Sequence, residues 1–126
     1  MSQIIEIAKV FRFEAAHFLP HVPSSHQCSG IHGHSYIVTL RIKGPMDKQL
    51  GWVMDLSDLS DQFEPWRKIL DHNFLNNIDG LDNPTSEHIA VWIMRHFGKE
   101  QPLLHAVTVE ATNRLSVTVY RQDMDI

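Results

Sequence analysis

The sequence predicts an α+β domain in which helices cover one face of an antiparallel sheet. Alternating apolar residues at both ends of the chain indicate strands, and two intervening segments with three- and four-residue apolar spacing indicate helices, in the order ββααββ. The chain has 126 residues, 43% of them hydrophobic and 21% charged, which is typical of one globular domain. We therefore expect a single domain over residues 1–126.

The first two predicted strands show a two-residue apolar period. Apolar side chains alternate with polar ones over residues 3–14 and again over residues 35–43, where Gly44-Pro45 ends the second strand. The segment between them, residues 20–30, is rich in Pro, Ser and Gly and predicts a loop. The two strands are therefore expected to pair antiparallel.

Two amphipathic helices follow. Apolar residues recur at helical spacing from Leu56 to Leu70, with Asp55 as the N-cap, and Pro65 predicts a kink or break near Glu64. The second helix is expected to begin after the N-cap Thr85 and to end at Gly98.

The C-terminal segment predicts a hairpin. Alternating runs over residues 105–112 and 115–120 are separated by Asn113-Arg114, a short connection that suits antiparallel strands. In the first run Val107 and Val109 fall on one face, and Glu110 falls on the other. The sheet is therefore expected to present Glu110 away from its buried face.

Composition excludes several classes of protein. The net charge of −4 argues against an extended nucleic-acid surface, and the lone Cys28 cannot form an intrachain disulfide. Acidic Glu6 interrupts what would otherwise be a secretory signal, and no apolar run approaches the ~18 residues of a membrane span. We expect a soluble cytoplasmic protein that binds neither nucleic acid nor membrane.

The arrangement of histidines predicts a metal site. His32 and His34 are two residues apart, so on an extended chain they point to the same face, and neutral imidazoles are common zinc ligands. His17, at the end of the first strand, would lie beside the start of the second. Cys28 is either a reactive thiol next to this site or the fourth ligand of a closed Cys-His₃ zinc site.

Two further residue groups are candidates for chemistry. Asp71-His72 follows the first helix and could form a proton-transfer pair, although such a dipeptide is more often a solvated helix end. Glu110 is an acid inside a strand, where acids are depleted.

These motifs together resemble the 6-pyruvoyltetrahydropterin synthase family over nearly the whole chain. They are F-E-A-A-H ending at His17, C-S-G-I-H-G-H beginning at Cys28, L-D-H ending at His72, N-P-T-S-E ending at Glu87, and Glu110. The three-residue gap between Cys28 and His32 is similar to the bacterial branch that makes 6-carboxytetrahydropterin. Ala111 departs from the threonine common in relatives.

The resemblance implies the tunnelling fold. In this fold, subunits join their sheets into an oligomeric barrel, here expected to be a hexamer, with helices outside and active sites at subunit interfaces. Such pairing would also protect the open edges of a four-stranded sheet.

The resemblance also implies roles for single residues. His17, His32 and His34 would bind Zn²⁺. Cys28 would be the general base, and Asp71 with His72 would assist proton transfer. The pterin would be bound by the residues Glu110, Thr85, Ser86 and Glu87. The carboxylate of Glu110 can accept two hydrogen bonds from the amino-pyrimidine edge of the ring.

The implied activity is that of a zinc-dependent lyase. It would convert 7,8-dihydroneopterin triphosphate to 6-carboxy-5,6,7,8-tetrahydropterin, acetaldehyde and triphosphate in queuosine precursor biosynthesis. Two alternatives stay open. One is a 6-pyruvoyltetrahydropterin synthase, which eliminates triphosphate without cleaving the side chain, and the other is a non-enzymatic Cys-His₃ zinc module.

Overall fold

The computed structural model describes residues 2–112 and 114–126, and within them it contains five strands, two α-helices and three short 3-10 turns. The strands are β1 (Ile4–His17), β2 (His32–Pro45), β3 (Asn73–Phe74), β4 (Leu104–Glu110) and β5 (Ser116–Tyr120). The helices are α1 (Leu56–Leu70) and α2 (Ser86–Glu100), and the 3-10 turns are Gln27–Ser29, Leu75–Asn77 and Arg121–Asp123. The predicted α+β class is confirmed.

The strands form one sheet in the order β3-β1-β2-β4-β5. All neighbours are antiparallel except β1 and β3, which are parallel. The β1–β2 pair is the longest, because both strands contain 14 residues and every residue has a partner from Ile4↔Pro45 to His17↔His32. Both strands extend further than the sequence predicts, so His17, His32 and His34 all lie within the ladder.

Both helices pack on the same face of the sheet. The buried strand residues on this face follow the predicted alternation: Phe13 and Ala15 in β1, Tyr36, Val38, Leu40 and Ile42 in β2, and Val107 and Val109 in β4. Phe63 of α1 joins the two layers, because its ring lies 4.8 Å from that of Phe11 and 5.3 Å from that of Phe97. In the described ranges, neither helix has the length and apolar character needed to cross a membrane.

The predicted break near Glu64 is wrong. Helix α1 is continuous from Leu56 to Leu70 with Pro65 on its exposed side. Proline removes one backbone donor, but the burial of Phe63 and Leu70 against the sheet outweighs that loss. The predicted cap is confirmed, since the Asp55 carboxylate accepts a hydrogen bond from the Ser57 N–H at 2.8 Å.

Gly98 does not end α2, which continues to Glu100. Gly98 is buried, and Arg121 packs closely against it. A Cβ at position 98 would lie 3.2 Å from Nη2 of Arg121. The guanidinium of Arg121 donates to the carbonyl oxygens of Gly98 and Gln101 at the end of the helix. The glycine therefore serves close packing instead of helix termination.

Two local features lay beyond the sequence pattern. β3 has only two residues and pairs with Ala15 and Ala16, too short a segment to show periodicity. In the predicted hairpin turn, Asn113 lies outside the described residues, and Arg114 has a φ of 69°. β4 and β5 pair antiparallel on either side of that turn, as predicted.

Replacing Pro65 with alanine should stabilise the protein. The side chain is exposed, and proline is about 3 kcal/mol less favourable than alanine inside a helix, so Pro65→Ala should raise the free energy of unfolding by ~1–3 kcal/mol. Urea unfolding followed by circular dichroism measures this. The control is Pro102→Ala, an exposed proline outside the helices, which should not stabilise. Equal behaviour of the two variants would contradict the expectation.

Candidate metal centre and active site

Three histidines meet at one end of the β1–β2 ladder. His17 is the last residue of β1 and pairs with His32, the first residue of β2, while His34 pairs with Ala15. Because strand side chains alternate, His32 and His34 point to the same face. One ring nitrogen from each histidine lies within 4.8 Å of the other two. The convergence predicted from the sequence is confirmed.

Each of these imidazoles is held through its Nδ1 atom. Nδ1 of His17 lies 2.8 Å from the carbonyl oxygen of Pro84, and Nδ1 of His32 lies 2.8 Å from that of Gly30. Nδ1 of His34 lies 3.1 Å from Oγ1 of Thr112. The Nε2 atoms are therefore the ring nitrogens available to bind a shared metal ion. Metal-bound histidines are usually oriented in this way, with the other ring nitrogen bonded to an outer partner.

The short distance between the Nε2 atoms of His17 and His32 favours binding of a cation between them. Carbonyl oxygens only accept hydrogen bonds, so Nδ1 carries the hydrogen in both His17 and His32. In the neutral rings both Nε2 atoms then carry lone pairs, yet they lie 3.1 Å apart. Two nitrogens bound at ~2.0–2.1 Å to a tetrahedral zinc ion would be about 3.3 Å apart. The donor set therefore fits a divalent zinc ion.

Burial favours the neutral form of His17 and His34. Desolvation lowers the pKa of His17 below its ordinary value of 6.5, and the neighbouring His32 and His34 lower it further, while the hydrogen bond to Pro84 opposes the shift. Desolvation and His32 likewise lower the pKa of His34. Neutral imidazoles are the form that binds metal, so the site is prepared for a cation near neutral pH.

Tyr36 lies beneath the histidines. Its ring is fully buried and stacks on Phe13 with centroids 4.7 Å apart, and its hydroxyl lies 3.4 Å from both ring nitrogens of His17. Burial raises the pKa of Tyr36, so the hydroxyl stays neutral. The sequence analysis treated Tyr36 only as a core residue.

A cleft of about 240 Å³ opens onto the three histidines. Cys28 lines it from the 3-10 turn Gln27–Ser29, where its backbone carbonyl accepts from the Leu19 N–H at 2.9 Å and its N–H donates to Nδ1 of His26 at 3.0 Å. In the described part of the chain, the group of converging metal-ligand atoms comprises the three histidines and does not include Cys28.

The N-terminus of α2 forms the opposite wall of this cleft, through Thr85, Ser86 and Glu87. Thr85 is the N-cap, as predicted, and its Oγ1 accepts from the His88 N–H at 3.1 Å. Pro84, which holds His17, immediately precedes the cap. The same helix terminus therefore positions a metal ligand and part of the cleft wall.

Asp71 and His72 form the predicted pair, but the pair lies outside the cleft that Cys28 lines. Nδ1 of His72 lies 2.9 Å from Oδ2 of Asp71, and the other Asp71 oxygen accepts from the Glu14 N–H at 2.9 Å. That backbone hydrogen bond, followed by His72 and Arg67, lowers the pKa of Asp71. The His72 side chain is 78% exposed, and its φ is 55°.

His72 lines an adjoining cleft of about 630 Å³. Its walls include Glu14, Ser35 and Thr112, and His34 lines both clefts. Within one chain His72 and Cys28 therefore line different clefts, which share His34.

Glu110 points away from the three histidines. It pairs with Ile37 and Ser116, while its neighbour Val109 pairs with Val38 on the buried face. The predicted facing is confirmed, and it places Glu110 on the side of the sheet opposite the histidines. One chain therefore does not bring Glu110 to the metal centre.

Gly33 lies between His32 and His34 in the β1–β2 ladder. A Cβ there would lie 3.5 Å from the carbonyl oxygen of Ala15, an ordinary contact, so the fold does not require glycine for close backbone approach. The groups that bond to the Nδ1 atoms of the three histidines, here called their outer partners, were not predicted from the sequence. Two of them, at Pro84 and Gly30, are backbone carbonyls, which no side-chain pattern can show.

With this geometry in place, comparison with known families identifies the chain. The family described as 6-pyruvoyl tetrahydropterin synthase matches residues 6–123. The chain belongs to this family. The resemblance noted from the sequence motifs is thereby confirmed.

Individual relatives have related names. The chain is 42% identical over 113 residues to a 6-carboxy-5,6,7,8-tetrahydropterin synthase of Synechocystis sp., with 84% of this chain and 85% of the relative covered. It is 36% identical over 90 residues to a dihydroneopterin monophosphate aldolase of Pyrococcus furiosus, covering 71% and 72%. The solved 6-pyruvoyl tetrahydropterin synthase of Caenorhabditis elegans has a TM-score of 0.87, covers 94% of this chain and 96% of its own, and shares the fold at 24% identity.

The metal site can be tested by removing single ligands. Wild-type protein should bind one zinc ion per chain, and His17→Ala or His34→Ala should bind it more than ~100-fold more weakly, since loss of a ligand costs more than the 10- to 100-fold typical of an outer partner. Elemental analysis and chelator competition measure this. His21→Ala, an exposed histidine outside the cluster, is the control. Full zinc occupancy in the ligand variants would contradict the assignment.

The metal-free protein should show the lowered pKa values directly. The ring protons of His17 and His34 should titrate below pH 6.5 in nuclear magnetic resonance spectra. The unfolded state then binds more protons than the folded state below that pH, so the free energy of unfolding should fall as the pH drops from 6.5. Titration of both rings at or above pH 6.5 would show that burial does not control their pKa values.

Proposed function

We propose that this protein is a zinc-dependent lyase that converts 7,8-dihydroneopterin triphosphate and one water to 6-carboxy-5,6,7,8-tetrahydropterin, acetaldehyde and triphosphate, a reaction of queuosine precursor biosynthesis. The observation that carries the proposal is the set of three converging imidazoles with their Nδ1 atoms already bonded, next to a cleft that Cys28 lines. The 42% identity to a synthase of that name supports the choice of reaction.

The three histidines would hold zinc through Nε2 and leave one position open. When bound there, zinc supplies positive charge that polarises substrate oxygens and stabilises negative charge on the side chain. A fourth protein ligand would close that position. The three-histidine cluster is complete without Cys28, which supports a reactive role for the thiol.

Cys28 would remove a proton from a side-chain carbon of the substrate. Its backbone is fixed on both sides, by the hydrogen bonds to Leu19 and His26, so the sulfur enters the cleft from a defined position. The Asp71–His72 pair would return protons. Because Nδ1 of His72 faces the Asp71 carboxylate, Nε2 is the ring atom available for exchange.

The pterin ring would be held at the opposite end of the substrate. Glu110 would accept two hydrogen bonds from the amino-pyrimidine edge, and Thr85, Ser86 and Glu87 would contact the substrate from the wall of the histidine cleft. Ser86 lines that wall and is buried, with 8% of its surface exposed.

We propose a homo-oligomer, a hexamer by family resemblance, as the active form. Glu110 and the Asp71–His72 pair both lie away from the histidine cleft within one chain, so a neighbouring chain would have to supply such groups. The sheet offers edges for assembly: in the described ranges β1 pairs with β3 only at Ala15 and Ala16, and β5 is the outer strand on the other side.

Cys28→Ala should retain zinc and lose turnover. A positioned acid or base contributes about 10²- to 10⁴-fold, so the rate should fall by that factor while metal content stays at one ion per chain. Zinc analysis and a steady-state assay on the same preparation measure both, and Cys28→Ser controls for side-chain volume. Loss of zinc in Cys28→Ala would instead indicate the closed Cys-His₃ module.

The product distinguishes the remaining alternatives. Purified zinc-loaded protein incubated with dihydroneopterin triphosphate should release acetaldehyde, and mass spectrometry should identify 6-carboxytetrahydropterin. A pyruvoyl product without acetaldehyde would indicate the pyruvoyl synthase alternative. A cleaved side chain with a different aldehyde would agree with an aldolase, the name of the Pyrococcus relative. Absence of any product would overturn the proposed function.

A further inference from the structure

Thr112 connects the end of β4 to the start of the metal site. It lies two residues beyond β4, and its Oγ1 makes two contacts with β2: Nδ1 of His34 at 3.1 Å and the backbone N of Ser35 at 3.1 Å. Ser35 and His34 are 77 and 78 positions from Thr112 in the chain. One hydroxyl therefore bonds to a metal-ligating side chain and to the backbone of the residue that follows it.

The direction of these hydrogen bonds follows from what each group can donate. The Ser35 N–H can only donate, so Oγ1 of Thr112 accepts there. A histidine that presents a lone pair at Nε2 carries its hydrogen at Nδ1, so His34 also donates to Oγ1. A hydroxyl oxygen has two lone pairs, which is enough to accept both bonds. The geometry is therefore self-consistent with His34 as an Nε2 ligand.

Thr112 differs in kind from the other two outer partners. His17 and His32 are held by the carbonyl oxygens of Pro84 and Gly30, which every residue type would supply. The partner of His34 is a side chain, so it is the one of the three that a substitution can remove. The Ser35 contact fixes the position of the Thr112 oxygen, and the second lone pair of that oxygen can accept from Nδ1 of His34 when Nε2 is the free ring nitrogen.

We propose that Thr112 is a positioning residue of the metal centre. Its hydroxyl oxygen, fixed by the Ser35 N–H, holds the ring of His34 in the orientation that presents Nε2 to the cation and accepts the Nδ1 hydrogen of the metal-binding form. This inference rests on the metal role proposed above for the three histidines. Thr112 itself neither binds the metal nor takes part in proton transfer.

The test removes the hydroxyl and measures metal binding directly. Thr112→Val should weaken Co²⁺ and Zn²⁺ binding by ~10- to 100-fold in chelator competition, the usual cost of losing an outer partner. Thr112→Ser keeps the hydroxyl and should restore affinity to within about threefold of wild type. The matched control is Thr108→Val, which removes a β4 hydroxyl bonded to Thr118 at 2.8 Å, away from the site, and it should bind metal like wild type.

A second measurement separates positioning from folding. In zinc-loaded wild type the Nδ1–H proton of His34 should exchange slowly with solvent because Thr112 accepts it, and in Thr112→Val it should exchange faster. The melting temperature of the metal-free variant, which reports folding, should stay close to that of wild type because Thr112 is exposed.

The outcomes are distinct. If wild type binds cobalt and Thr112→Val binds it equally well, or if the Nδ1–H of His34 exchanges no faster in the variant, the inference about Thr112 is overturned and the proposed function is untouched. If wild type does not bind zinc or cobalt, both are overturned. Weakened binding in Thr112→Val with recovery in Thr112→Ser establishes the role.

Discussion

The antiparallel register of β1 and β2 is the constraint on which the metal centre depends. A shift of one residue in either strand would move every side chain to the other face, and it would separate His17 from His32. The same register buries Phe13 against Tyr36 four residue pairs further along, so apolar packing fixes the alignment that brings the three histidines together. The stability of the sheet and the geometry of the site are therefore set by one ladder.

His34 lines two clefts with different surroundings. One is lined by Cys28 and the N-terminus of α2, and the other is lined by Glu14 and the exposed His72. Asp71 is tied to the backbone of β1 through the Glu14 N–H, so the position of the Asp71–His72 pair also follows from the ladder. Both clefts are thus built on the same few rungs.

Side-chain alternation predicted the facing of His32, His34 and Glu110 correctly, because period-two geometry is a local property of a strand. Local signals failed where packing between elements decided the outcome. Pro65 did not break α1 and Gly98 did not end α2, since the core and Arg121 respectively outweighed the propensity of one residue. Thr112 gave no signal, because its contact with His34 joins positions 78 residues apart.

His17 and His32 flank one loop, residues 18–31, which contains Cys28. A cation shared by these histidines would close that loop at its mouth, much as a disulfide does, and would reduce the number of conformations that the enclosed chain can sample. Within the loop, the bond from the Leu19 N–H to the Cys28 carbonyl already provides a smaller closure. The entropy of this segment, and with it the placement of the thiol, would then vary with metal occupancy.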